Sequence, residues 1–384
     1  MDYVKLKDVC AINMGQSPDS NSYNENGKGV PFFQGNADFG ERYPITRKWC
    51  SAPAKMAAPE DILISVRAPI GALNYAKEDC CIGRGLAALT PDKSKVSPEY
   101  IFWLLKSKNE ELNSKGTGST FKAIGRKALE ETLVPDISLG KQTEYSTILE
   151  KVYGVILSRK QELQKLDNLV KARFVEMFGD PVQNPFRWPT RPLLEMGYCK
   201  NGMNFHTGDS GIEMHCLGVG DFKDYAVIDG TDNLPTVSLN EAPPEESMLR
   251  DGDIVFVRSN GNKALVGRCL VVYPRSTPTT YSGFCIRYRL TSEEVNTMYL
   301  LRVLKTASMR KKMAGRGANI QNLNQQILTT LDIPTPPLEL QEQFATFVKQ
   351  TDKSKVVESI HRLNVLFNIT LNGGNRYDIR ANEF

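Results

Sequence analysis

Two textures of apolar and polar positions alternate along this chain. Residues 1 to about 140 carry short apolar and β-branched runs, Asp61 to Val66 and Leu86 to Leu89 among them, broken by glycine and proline, which predicts a strand-dominated module. Within it, Ser97-Pro98-Glu99 opens an apolar helical stretch, Tyr100 to Leu105, with proline at an early helix position. From about Lys141 to Phe178 glycine and proline nearly vanish. Apolar residues there recur at Ile148, Val152, Val155, Ile156, Leu163, Leu166, Val170, Phe174 and Met177, and steps of three, four and seven predict one helix with a single apolar stripe. At ~1.5 Å per residue such a rod is roughly 57 Å long, and Gly179-Asp180-Pro181 stops it.

The succession then returns. Thr132 onward reads TLVPDISLGKQTEY and Leu331 onward reads LDIPTPPLELQEQF, placing Pro135 with Pro334, Leu139 with Leu338 and Gln142 with Gln341, each pair 199 residues apart. DILISVR (Asp61 to Arg67) matches DIVFVR (Asp253 to Arg258), offset by 192 at the aspartate and 191 at the arginine. Leu6 to Gly15 is echoed by Leu193 to Gly202, and the helical stretch of the first half by Ser292 to Leu304, likewise opened by Ser and Glu. A second rod runs from Leu338 to Leu371, with Phe344, Phe347, Val348, Val356, Ile360, Leu363 and Leu366 at helical spacings. The fold class predicted is α+β: two repeated modules, rich in strands with small helices, each followed by a long helix.

A helix that long exceeds a compact module and needs a partner. Pairing the two rods antiparallel as a coiled coil gives the chain a pseudo-two-fold axis; the alternative is that each rod packs on its own module. The boundaries are 1–140 and 181–337 for the modules, 141–180 and 338–372 for the helices, and 373–384 for a glycine-rich polar tail. The second rod departs from the first, because the FVEMFGD ending of Phe174 to Asp180 has no counterpart.

Composition changes this picture little. With 384 residues, 41% hydrophobic and 24% charged, each half has enough apolar residues for a core. A net charge of +4 permits nucleic-acid binding without demonstrating it. The first residues, MDYVKLKDVC, lack a basic region followed by an apolar core, and no run of ~18 apolar residues occurs, so a cytoplasmic protein is expected. Eight cysteines without a C-x-x-C pair fit reduced thiols. His206, His215 and Cys216 lack the spacing of a metal site, and no metal is expected.

The opening LKDVCAINMG, the paired DILISVR and DIVFVR strands, and the block GSTFKAIGRKALEETLVPDISLGKQ with its second copy GANIQNLNQQILTTLDIPTPPLELQEQF resemble, in their order and doubling, the specificity subunit of type I restriction-modification systems. The resemblance covers essentially the whole chain. It implies two target recognition domains, each reading one half of a split, asymmetric double-stranded DNA target, with the helices setting the gap. It also implies two modification (methyltransferase) subunits as partners, docked on the rods, and restriction (ATP-dependent translocase and endonuclease) subunits. S-adenosylmethionine, ATP and Mg would then belong to those partners, with no cofactor in this chain.

Base readout needs Arg or Lys toward guanine and Asn or Gln toward adenine, on loops at strand ends. The first module offers Gln34, Asn36, Arg67, Arg84, Lys122 and Arg126. The equivalents in the second are Arg258, Asn260, Asn262 and Lys263, then Arg316, Asn319, Gln321 and Asn322. Phe32 and Phe33 can stack or pack, and Arg310, Lys311 and Lys312 can meet phosphates or form a solvated face. No catalytic constellation accompanies them. The nearest string to the Asn-Pro-Pro-aromatic segment of an adenine methyltransferase is Asn184-Pro185-Phe186, and neither a dinucleotide nor a P-loop glycine motif is present. A non-catalytic subunit follows; a two-headed adaptor binding proteins is the alternative.

Overall fold

The computed structural model describes residues 2–118, 122–205, 208–222, 226–313 and 322–351. The chain divides into two units, with the boundary between Gln161 and Glu162 inside the longest helix.

In the first unit, β1 (Tyr3–Lys5) leads through α1 (Leu6–Val9) into β2 (Cys10–Met14), and short strands follow: β3 (Tyr23–Asn24), β4 (Val30–Phe33), β5 (Trp49–Cys50) and β6 (Met56–Ala57). Next come β7 (Ile62–Ser65), β8 (Leu73–Tyr75), β9 (Cys80–Ile82) and β10 (Leu86–Pro91), then helices α2 (Pro98–Ser107), α3 (Asn109–Ser114) and α4 (Arg126–Glu130), β11 (Leu133–Pro135) and the rod α5 (Leu139–Phe178). Two sheets dominate, ordered β2-β10-β7-β8 and β3-β5-β4-β9-β6, while β1 pairs with β11. Helix α2 forms where Ser97 caps it, its Oγ accepting the Tyr100 N–H at 3.3 Å, with proline in the first turn, where a missing N–H costs nothing. Its apolar face buries Phe102, Trp103 and Leu105 beside Ile62, Ile64 and Leu89, and each fully buried large side chain contributes ~1.5–3 kcal/mol.

The second unit repeats the plan. It holds β12 (Thr190–Pro192), β13 (Gly197–Asn201), β14 (Ile212–Leu217), β15 (Val227–Asp229), β16 (Thr236–Leu239), β17 (Asp253–Val257), β18 (Cys269–Tyr273), β19 (Thr279–Tyr281) and β20 (Cys285–Leu290). These are followed by α6 (Thr297–Lys305), α7 (Ala307–Met313), α8 (Gln325–Thr329), β21 (Asp332–Pro334) and α9 (Leu338–Gln350). Its sheets run β13-β20-β17-β18-β15 and β16-β14-β19, and β12 pairs with β21 as β1 does with β11. Helix α6 begins later than the sequence pattern suggests. Asn296, rather than Ser292, caps it, with its side chain accepting from the Met298 and Tyr299 N–H groups, while the backbone of Ser292 is tied to Met196 O.

The architecture is the expected α+β one, with two strand-rich units and a long helix between them. Helix α5 is continuous over 40 residues and ends at Gly179, whose φ of 74° is the left-handed conformation that closes a helix. Its buried stripe departs from the pattern read above at some positions: Ile156, Val170 and Phe174 are buried as expected, whereas Ile148 and Val155 are exposed and Leu149 and Phe178 are buried in addition. Polar Gln142 and Ser146 continue the buried stripe toward the start of the helix, which is why an apolar-only pattern misplaces it. The early turns pack on the first unit through Leu149, Val152 and Tyr153. The last turns enter the second core instead, where Phe174 and Phe178 lie 5.5 and 5.7 Å from Phe344 of α9. Beyond Thr351, the rod expected over 338–372 and the tail 373–384 lie outside the described residues.

Candidate nucleic-acid interface

Strands β4 and β9 run parallel, with Phe33 opposite Ile82, so the segments that leave them emerge at the same end of the sheet. There the Gly83-Arg84-Gly85 turn closes on Gln34. Gly83 N–H donates to Phe33 O at 2.8 Å and Gly85 N–H to Gln34 O at 3.2 Å. A Cβ at Gly85 would stand 2.4 Å from the Gln34 carbonyl oxygen, so the approach requires glycine and leaves Arg84 held between two of them. Gln34 donates its amide to Ser17 Oγ at 3.0 Å. Asn36 starts a short turn that Asp38 closes by accepting the Gln34 N–H at 2.8 Å.

Arg67 arrives from β7 and bridges to Ala123. Together Gln34, Asn36, Arg67 and Arg84, with the backbone of Gly35, Ala68 and Gly85, line an open recess of about 210 Å³. Four of the six first-module residues picked from sequence thus share one concavity. Both arginines are exposed, and among the described residues neither has an ion pair. Lys122 is exposed beside them, its carbonyl accepting the Ala68 N–H at 3.0 Å. Arg126 is occupied elsewhere, donating to Ile12 O at 2.9 Å with Glu130 at 3.5 Å. Phe32 and Phe33 are buried, and Phe32 stacks on Tyr23 at 4.7 Å, so they pack.

In the second unit, Arg258 is half-buried and donates to Gly283 O at 3.3 Å. Asn260 and Asn262 spend their side-chain carbonyls on their own loop, accepting the Asn262 and Ala264 N–H groups at 2.8 and 3.0 Å. Lys263 is exposed on the same loop, and Asn322 is exposed and bridged to Ser259. Arg316, Asn319 and Gln321 lie outside the described residues. In the basic cluster, Arg310 donates to Ala264 O at 3.0 Å and burial lowers its pKa, whereas Lys311 and Lys312 are exposed.

The backbone ladders correct one equivalence. Val66 N–H donates to Gly85 O and Arg258 N–H to Phe284 O, each at a strand end, while Arg67 bridges Ala123 and Ser259 bridges Asn322. Arg67 therefore corresponds to Ser259, and Arg258 to buried Val66; matching the VR strings by identity had slipped the register by one. The same ladders place Arg84 opposite Gly283 and Gly85 opposite Phe284, which is 61% exposed.

Sequence reasoning also passed over a repeat. Gly35-Asn36-Ala37-Asp38-Phe39 and Gly218-Val219-Gly220-Asp221-Phe222, offset by 183, form the same turn, with Asp221 accepting Gly218 N–H at 2.7 Å as Asp38 accepts Gly35 N–H at 3.5 Å. The spacing GxxDF is the signal that would have found it. Among the described residues no group of His, Cys, Asp and Glu could hold a metal, and no helix is long and apolar enough to cross a membrane.

Comparison with known proteins agrees with this doubled plan. The family model described as type I restriction modification DNA specificity domain matches residues 1–168 and 243–366. A putative type I restriction enzyme MjaX specificity subunit of Methanocaldococcus jannaschii is 41% identical over 160 residues, 42% of this chain, and the match spans only 38% of that relative's length. The StySPI specificity subunit of Salmonella potsdam is 24% identical over 80% of this chain and 72% of its own. The crystal structure of the type I restriction-modification system S subunit from M. genitalium shares the fold, with a TM-score of 0.54 at 14% identity over 96% of this chain and 94% of that one. A match across both repeats, on a framework whose ladders coincide, leaves one conclusion: this chain belongs to the type I restriction-modification DNA specificity family.

Proposed function

We propose that the chain is the DNA-reading, non-catalytic subunit of a type I restriction-modification complex, acting in the cytoplasm. Each unit reads one half of a bipartite, asymmetric double-stranded target. The long helices set the gap between the halves and dock two methyltransferase subunits, to which restriction subunits add; S-adenosylmethionine, ATP and Mg serve those partners. The observation that carries this reading is the contrast between framework and loops. Hydrogen bonds that build the two units recur at matching positions, whereas the residues at the strand ends differ, exposed Arg84 against half-buried Gly283 and exposed Arg67 against half-buried Ser259. A duplicated scaffold with divergent tips suits two readers of unlike sequences. Two such readers on one face of B-DNA favour centres about one turn apart, ~34 Å, or a multiple of it.

The test is to co-express the chain with an adenine methyltransferase subunit of this class and map methylated adenines across a genome. Methylation confined to one split motif is expected. Methylation without sequence preference, or co-purification with proteins and no effect on DNA, refutes the reading and favours a protein-binding adaptor.

A further inference from the structure

The recess of the first unit has a chemistry that its counterpart lacks, and the difference extends the proposed function, on which this inference rests. Arg84 stands between Gly83 and Gly85, both pressed against Gln34, so the segment carrying it has little freedom to shift. Its guanidinium offers two parallel donors, and a fork of that kind fits the O6 and N7 acceptors of guanine in the major groove. Arg67 sits across the recess on a different backbone pairing, next to exposed Lys122. Neighbouring cations along one rim suit the phosphates of a strand, which attract charge without regard to sequence.

At the equivalent positions of the second unit, Gly283 replaces Arg84, Ser259 replaces Arg67 and Val219 replaces Asn36. What is exposed there is Phe284, at 61%. The guanidinium that reaches this place is that of Arg258, which is half-buried and already donates to Gly283 O at 3.3 Å, whereas the exposed aromatic face of Phe284 suits apolar contact, as with the 5-methyl group of thymine.

We infer that Arg84 selects a guanine in the half-site read by the first unit while Arg67 holds an adjoining phosphate, and that in the second unit the next position along the turn, Phe284, which matches Gly85, reads its half through its apolar face. The specificity of this position is set by chain position within the repeat, so the two halves of the target differ there in kind.

The experiment uses the full chain assembled with its methyltransferase subunits and a plasmid library randomised over both halves of the mapped target. Arg84→Ala is expected to relax one guanine in one half, lowering discrimination there ~10–100-fold, with every other position unchanged. Arg84→Lys should retain part of the preference. Arg67→Ala should weaken methylation of all sequences alike and reduce its salt dependence. Phe284→Ala should relax a position in the other half only. Both arginines and Phe284 are exposed, and an unchanged thermal midpoint confirms folding in each variant. The assignment is overturned if Arg84→Ala depresses all sequences equally, relaxes the half that Phe284→Ala relaxes, or changes nothing. A wild-type complex with no sequence preference would instead sink the DNA-reading function itself, a failure visible before any variant is made.

Discussion

Gln142 and Gln341 make the same three hydrogen bonds, each inside its own unit. The Gln142 side chain accepts the Ser97 N–H at 2.8 Å and donates to Ile137 O at 2.8 Å and Lys95 O at 3.3 Å. Gln341 accepts the Asn296 N–H at 2.9 Å and donates to Pro336 O at 2.7 Å and Glu294 O at 3.2 Å. Every partner is displaced by 199 residues, as are the glutamines themselves. Each amide thus ties the start of a long helix to the residue at or next to the cap of the module's own helix.

Both glutamines are buried, at 2% and 0% exposure, so truncation leaves one donor and two acceptors without water. Gln142→Ala is expected to cost ~2–4 kcal/mol and to open the first unit, and Gln341→Ala the same for the second. Limited proteolysis read by mass spectrometry locates the cuts. Cuts distributed equally over both units in either variant would contradict a clamp confined to one.

Lys106 predicts a pH dependence. Its ammonium lies 4.1 Å from the Tyr153 ring centroid and 4.9 Å from that of Trp103, in a cluster where Arg42 pairs with Glu150 and Tyr153 with Glu41. Burial, then the charge of Arg42, pushes its pKa down to about 8, against the attraction of Glu41 and Glu150. The folded pKa is below the unfolded one, so between pH 8 and ~10.5 the unfolded chain holds more protons and stability rises with pH. The penalty is fully present below pH 8 and is worth at most roughly 3 kcal/mol, since cation–π attraction opposes it. From pH 7 to 9.5 the wild-type midpoint of the first unit should gain on that of Lys106→Met, which starts higher; the thiols of Cys10, Cys80 and Cys81, whose pKa values burial raises, lower both proteins alike toward the alkaline end. A wild-type slope equal to that of the variant would refute this.

Arg287 is the cost the second unit carries. It lies in β20 with no exposed surface, its guanidinium 5.1 Å from the Tyr198 ring, and among the described residues its three nitrogens have no hydrogen-bond partner. A buried cation whose nitrogens lack hydrogen bonds is destabilising even with the Glu246 carboxylate within range of its charge, and an apolar side chain of similar length removes that cost. Arg287→Met is expected to stabilise the second unit by ~1–4 kcal/mol, raising its midpoint by several degrees. Calorimetry decides it, a lowered midpoint being the contrary result.

Much of this protein is written locally. Glycine and proline between short β-branched runs mark the strands, Ser97-Pro98 marks a helix start, and the proline-free, glycine-poor stretch ending at Gly179 marks the rod, because each depends on neighbours within a turn or a strand. The repeat is legible for the same reason, since framework positions such as Gln142 and Gln341 hold matching residue types. Tertiary structure alone decided which loops meet. The gathering of Gln34, Asn36, Arg67 and Arg84 around one recess depends on a parallel pairing of β4 with β9 that joins residues 49 positions apart, which no local pattern encodes. The pairing of Arg67 with Ser259, rather than with Arg258, also waited for the ladders: backbone hydrogen bonds count residues from the strand, whereas comparison of strings counts likeness of side chains.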